Sequence, residues 1–231
     1  MVRSFAAACL VAAAVLLQGC AAPRQQPVSL PADYFTTKTD RIAVVMAALP
    51  KPDTEFPGAG CLLCLAAASA ANRQVTTVVQ AWPIDDVKPL KSEVAALLKA
   101  KSQQAIEIAE PLEIDKIKDR PNPEPGFARK DFSSLGTSSG AGRLLVIHVG
   151  ALGAWRNYSA YIPNGPPVAV FKAQAYIVNL SNHKYEWYQE FDLSQPAEGA
   201  WDEPPKFPGL TNAYFQLVER GKDSIKKAIA P

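Results

Sequence analysis

The chain is poor in the side chains that carry most enzymatic chemistry. It holds four cysteines and only two histidines, so a zinc site would have to draw its last ligands from His148 and His183. One histidine falls in an apolar strand pattern and the other in a turn pattern, and no metal is expected. Charge of one sign is also lacking. The formal net charge is +2, which gives no electrostatic footing for nucleic acid. After Cys20 nothing is both long and apolar enough to cross a bilayer as a helix, which takes about 20 residues. No phosphate-cradling G-x-x-x-x-G-K-[ST], no G-x-S-x-G nucleophile elbow and no solenoid-length repeat can be read. These absences remove nucleotide hydrolysis, the common serine hydrolases and solenoid scaffolds from consideration.

What is present begins at the N-terminus. Arg3 precedes an apolar run over residues 5–17, and the run ends in Leu17-Gln18-Gly19-Cys20. A positive n-region, a short h-region and a small-residue cut site make a secretory signal. The pattern Leu-x-Gly-Cys resembles the bacterial lipobox. That resemblance implies cleavage before Cys20, a diacylglycerol on its thiol and an acyl group (palmitate or similar) on its new amine. It also implies an outer-membrane address on the periplasmic side, because Ala21 and Ala22 follow the cysteine with no aspartate. An ordinary signal peptide with a cysteine near its cut site is the plainer alternative. No other cofactor is expected. The divisions read as residues 1–19 signal, 20–40 lipidated flexible tether and 41–231 folded domain, the tether inferred from three prolines in residues 21–38.

Within the domain, residues 41–49 form a buried apolar strand stopped by Pro50 and Pro52. Residues 58–71, rich in alanine and leucine, form a helix apolar nearly all round, packed in protein or dipped into lipid. The β-branched residues of 75–81 suggest a short strand. Asp85 and Asp86 offer an N-cap to an amphipathic helix through residue 99, and residues 105–109 alternate as a strand. Three long strands follow, at 143–151, 168–180 and 184–193. In the last, Tyr185, Trp187, Phe191 and Leu193 share one face, leaving the other wetter. A closing helix carries the stripe Leu210, Ala213, Tyr214, Leu217, Val218, Ile225, Ala228 and Ile229. The sum is a single α/β (α+β) domain, its mixed sheet ending in a three-strand antiparallel meander flanked by helices. This order, with the hairpin at residues 178–187 ending on Trp187, resembles the domain of curli-secretion-type lipoproteins, of the N-terminal part of TolB and of uncharacterised bacterial lipoproteins.

Four constellations could carry chemistry or binding. Cys61-Leu-Leu-Cys64 is a C-x-x-C at a helix start, read as a local disulfide or packed thiols buried by Leu62, Leu63 and Leu65, with thiol–disulfide exchange as the alternative. Ser181-Asn-His-Lys184 matches S-x-x-K but lies between strands, where a turn explains it. The Ser/Gly tract 133–142 reads as a loop with a short helix. In the aromatic set Trp155, Tyr158, Tyr161, Tyr188 and Trp201, Tyr158, Tyr161 and Trp201 fall next to Pro/Gly loops, and a partner surface of Trp155, Tyr158, Tyr161 and Trp201 is weighed against simple packing. The functional expectation is therefore a non-enzymatic envelope assembly or interaction module. It would be held to the membrane by lipid and bind an envelope protein or another copy of itself. An oligomeric secretion or transport component and a periplasmic thiol oxidoreductase are the alternatives.

Overall fold

The computed structural model describes residues 24–38, 40–101, 103–121 and 123–229. The signal segment and Cys20 lie outside the described residues. The helices are α1 (Tyr34–Thr37), α2 (Leu62–Ala71), α3 (Arg73–Val79), α4 (Leu90–Ala100), α5 (Ser133–Ser139) and α6 (Pro208–Ile229). The strands are β1 (Ile42–Met46), β2 (Asp53–Glu55), β3 (Ala105–Glu107), β4 (Arg143–Trp155), β5 (Tyr158–Ser159), β6 (Ile162–Pro163), β7 (Val168–Asn179) and β8 (Tyr185–Pro196).

The main sheet runs β3-β1-β4-β7-β8, with β2 joined to the far end of β4. Ile-Ala-Val-Val-Met in β1 is buried throughout, as a continuous apolar run demands when both faces of a strand are covered. It pairs in parallel with β3 and β4, while β4, β7 and β8 form the expected antiparallel meander. Helices α3, α4 and α6 cover one face. Trp82 stacks on Tyr214 of α6 at 4.5 Å, and Phe171 and Trp187 fill the space beneath. Every residue of the stripe read in α6 is buried except Ala228, which packs at the rim. The second face is covered in part by Leu112, Phe132 and Ala141 from the long β3–β4 connection.

Several sequence expectations are corrected here. Residues 24–38 are no tether. Val28 pairs with Tyr188 through two backbone hydrogen bonds (2.9 and 3.0 Å), and Tyr34 is buried with its hydroxyl donating to Glu186 Oε2 at 2.6 Å. Residues 75–79 are helical and 80–81 a turn rather than a strand, because Val75 and Val79, one helical turn apart, both bury in the main core. Tertiary burial outweighs the few tenths of a kcal/mol by which valine disfavours a helix. Helix α4 starts at Leu90 after turns through Val87, with no side-chain cap from Asp85 or Asp86. Tyr185 is on the opposite face from Trp187. Ile177 pairs with Trp187 and Val178 with Tyr185, so Glu186 is an extra residue and the alternation flips there.

Candidate interaction surfaces

Two surface regions stand out among the described residues. The first lies on the second sheet face. Tyr176, Tyr185 and Tyr188 stand there with ring centroids 5.1–5.9 Å apart, against Phe132. They floor a cleft of about 490 Å³ whose rim carries Arg129, Lys130, Gln174 and His148. The N-terminal strap closes one side, where the Arg24 guanidinium pairs with Glu190. Burial pushes the Tyr176 and Tyr188 hydroxyls far above the ordinary phenol range, so both stay protonated donors. Burial also holds the His148 imidazole below its usual value, against a smaller opposing pull from Asp115, and the ring is neutral at pH 7. The sequence placed His148 among apolar strand residues; the structure half-exposes it at this rim. A neutral imidazole and protonated phenols suit hydrogen bonding and stacking, with no activated nucleophile in the set.

The second region gathers around α2. Cys61 caps the helix, its sulfur accepting the Cys64 amide at 3.0 Å, and the two cysteines are joined in a disulfide. Only Cys64 and Ala68 of the helix are buried, against Tyr158 and Phe56. The expectation that Leu62, Leu63 and Leu65 enclose the cysteines fails, because these leucines are 89%, 73% and 46% exposed. They point away from the two positions by which the helix is seated. Tyr161 of the β5–β6 turn and Ile162 at the start of β6, at 56% and 68% exposure, continue the patch, and the Tyr161 hydroxyl lies 3.7 Å from Cys61 Sγ.

The four aromatics expected to form one surface are thus divided. Tyr161 is exposed. Tyr158 is buried, its hydroxyl accepting from Asn72 Nδ2 at 2.7 Å, and so is unavailable to a partner. Trp155 is half-covered under the Lys172 ammonium, 4.2 Å from its ring. Trp201 stacks on Phe207 beneath the Arg156 guanidinium. Ser181 and Lys184 lie in the β7–β8 turn, where the Ser181 hydroxyl donates to Asn179 Oδ1 at 2.7 Å rather than facing the lysine. His183 occupies the same turn with φ of 61°. Among the described residues no group of three His, Cys, Asp or Glu side chains converges as a metal site. Sequence reading missed the tyrosine cleft because the bulge at Glu186 brings Tyr185 onto the face of Tyr188.

No family model matches the sequence, and no curated protein does. Solved structures do match it. A PelC dodecamer from Paraburkholderia phytofirmans is 13% identical, over 89% of this chain and 96% of that one, at a TM-score of 0.35. The lipoprotein GNA1162 from Neisseria meningitidis is 15% identical over 81% and 99%, at 0.28. The DUF330 protein XCC0632 from Xanthomonas campestris is 11% identical over 89% and 93%, at 0.35. Superpositions this loose carry no argument about the present chain.

Proposed function

We propose that the chain is an acyl-anchored lipoprotein of the bacterial outer membrane, facing the periplasm and serving as a non-enzymatic interaction module of the envelope. The observation that carries the proposal is the closeness of Leu17-Gln18-Gly19-Cys20 to a strap already fastened to the sheet at Arg24 and Val28. Acyl chains on Cys20 would hold the folded body at short range from the bilayer. Two or more chains anchor stably where one does not. The cleft above the tyrosine floor then faces a partner in the envelope or another copy of the chain, using the rim groups Arg129, Lys130, Gln174 and His148. The test is the mass of the Cys20 peptide from membranes, together with fractionation of Cys20→Ala. An acylated peptide and release of the variant into the soluble fraction are expected. An intact leader, or a trimmed end without fatty acid, defeats the reading.

One observation favours a second reading. Cys61 is exposed at the N-cap of α2 while Cys64 is buried, the placement a thiol–disulfide exchanger needs. In that reading the disulfide accepts two electrons from a partner dithiol, which leaves oxidised. Titration against a glutathione buffer decides it. A midpoint above about −300 mV would mark an exchangeable pair, and one below it a structural staple.

A further inference from the structure

We infer that α2 and the β5–β6 turn form a second membrane contact, lying in the interface of a phospholipid bilayer. The inference rests on the acyl-anchored reading, which sets the chain at a bilayer. Of the large apolar side chains exposed among the described residues, Leu62, Leu63, Leu65, Tyr161 and Ile162 belong to this one patch, and only Phe215 stands elsewhere. The sixteen residues from 57 to 72 include no charged side chain. The nearest charges are Glu55 before the segment and Arg73 after it. Helix α2 is therefore not amphipathic in the ordinary sense: its seated side is Cys64 and Ala68, and its outward side is more apolar still.

Two protein occupants can be weighed against lipid. A stable protein interface takes roughly 20–30 residues and 800 Å² from each partner. Five side chains on one ten-residue helix and the short β5–β6 hairpin fall short of that. Protein interfaces also carry about one hydrogen bond per 100–200 Å². Here the Tyr161 hydroxyl is the polar group among the five exposed side chains, and it lies beside Cys61 Sγ. A bilayer asks for neither extent nor hydrogen bonding. It takes leucine on the acyl side and tyrosine at the headgroup level. The Cys61–Cys64 disulfide closes the first turn of α2, so the leucines are presented by an already formed helix end.

The test uses the full acylated chain carrying Leu63→benzoylphenylalanine, reconstituted in phosphatidylethanolamine–phosphatidylglycerol vesicles and irradiated. A phospholipid adduct at position 63 is expected. The same photoprobe at exposed Lys99 of α4 should give none. Adding Leu62→Glu and Leu65→Glu to the position-63 probe should cut the lipid adduct at least tenfold while leaving the thermal midpoint within a few degrees. A cross-link to a second copy of the chain, no adduct at all, or equal adducts at positions 63 and 99 would each overturn the inference. The mass of the Cys20 peptide in the same sample reads the anchor separately. An acylated chain without the position-63 adduct sinks this proposal and spares the anchor. An adduct on an unacylated chain does the reverse.

Discussion

Gly221 shows how tightly single residues are held. A methyl group there would meet Cδ1 and Cε1 of Phe171 at 2.8 Å and Cε2 at 2.9 Å, and that ring is fully buried. Alanine would gain up to about 1 kcal/mol of helix propensity in α6. Forcing an extra carbon into a closed core costs about 1–3 kcal/mol. The clash should win, so Gly221→Ala is expected to lower the urea midpoint despite being a better helix former. His148 supplies a second residue-scale test. Its folded value lies below the unfolded imidazole value of about 6.5, so the unfolded chain binds more protons as the pH falls through 6.5. Stability is then whole above that pH, drops below it, and levels off beneath the folded value. His148→Gln should shrink the stability difference between pH 7.5 and pH 5, measured by urea unfolding at the two values.

At the scale of elements, the strap is the part whose behaviour differs most between the two readings. Tyr34 anchors it, edge-on to Phe35 and beneath the Arg143 guanidinium. Tyr34→Ala should cost about 3 kcal/mol, the usual loss for a buried aromatic. It should also abolish hydrogen-exchange protection at the Val28 and Tyr188 amides, which donate to each other's carbonyls. A tether would show no protection in either protein. Why the sequence hid this element is plain. Val28, Leu30 and Tyr34 fall at even spacings, but Pro27 and Pro31 interrupt so short a run, and its burial depends on a sheet built far downstream. By contrast β1, β7 and α6 each bury a pattern complete within the element, and their outlines were legible. Helix α3 lay between these cases, since its valines favour a strand until the core claims Val75 and Val79. The exposure of α2 was open in principle. An all-apolar helix fits core and lipid alike, and composition does not say which side the fold leaves bare.

Across the whole molecule, the sheet is assembled from distant parts of the chain. Ile42 of β1 stands opposite Arg143 of β4, about a hundred residues on. Arg143 is itself buried and holds that junction through Asp40, the Lys38 carbonyl and Gln103. Such long loops must close before parallel pairing offers any return, and folds of this kind reach the native state in milliseconds to seconds rather than microseconds. Stopped-flow refolding followed by tryptophan fluorescence should fall in that range, with Arg143→Ala slowing it if the β1–β4 junction forms early.

The short lead into the strap has a mechanical meaning. From Cys20 to Arg24, the first fastened residue among those described, the backbone spans at most about 14 Å, less than the roughly 17 Å radius of gyration expected for a body this size. A protein moored on so brief a leash cannot swing across the periplasm to capture a target. Under the acyl-anchored proposal it would meet others by sideways diffusion in the plane of its leaflet, and its choice of partners would be set by what shares that sheet of lipid or comes down to it.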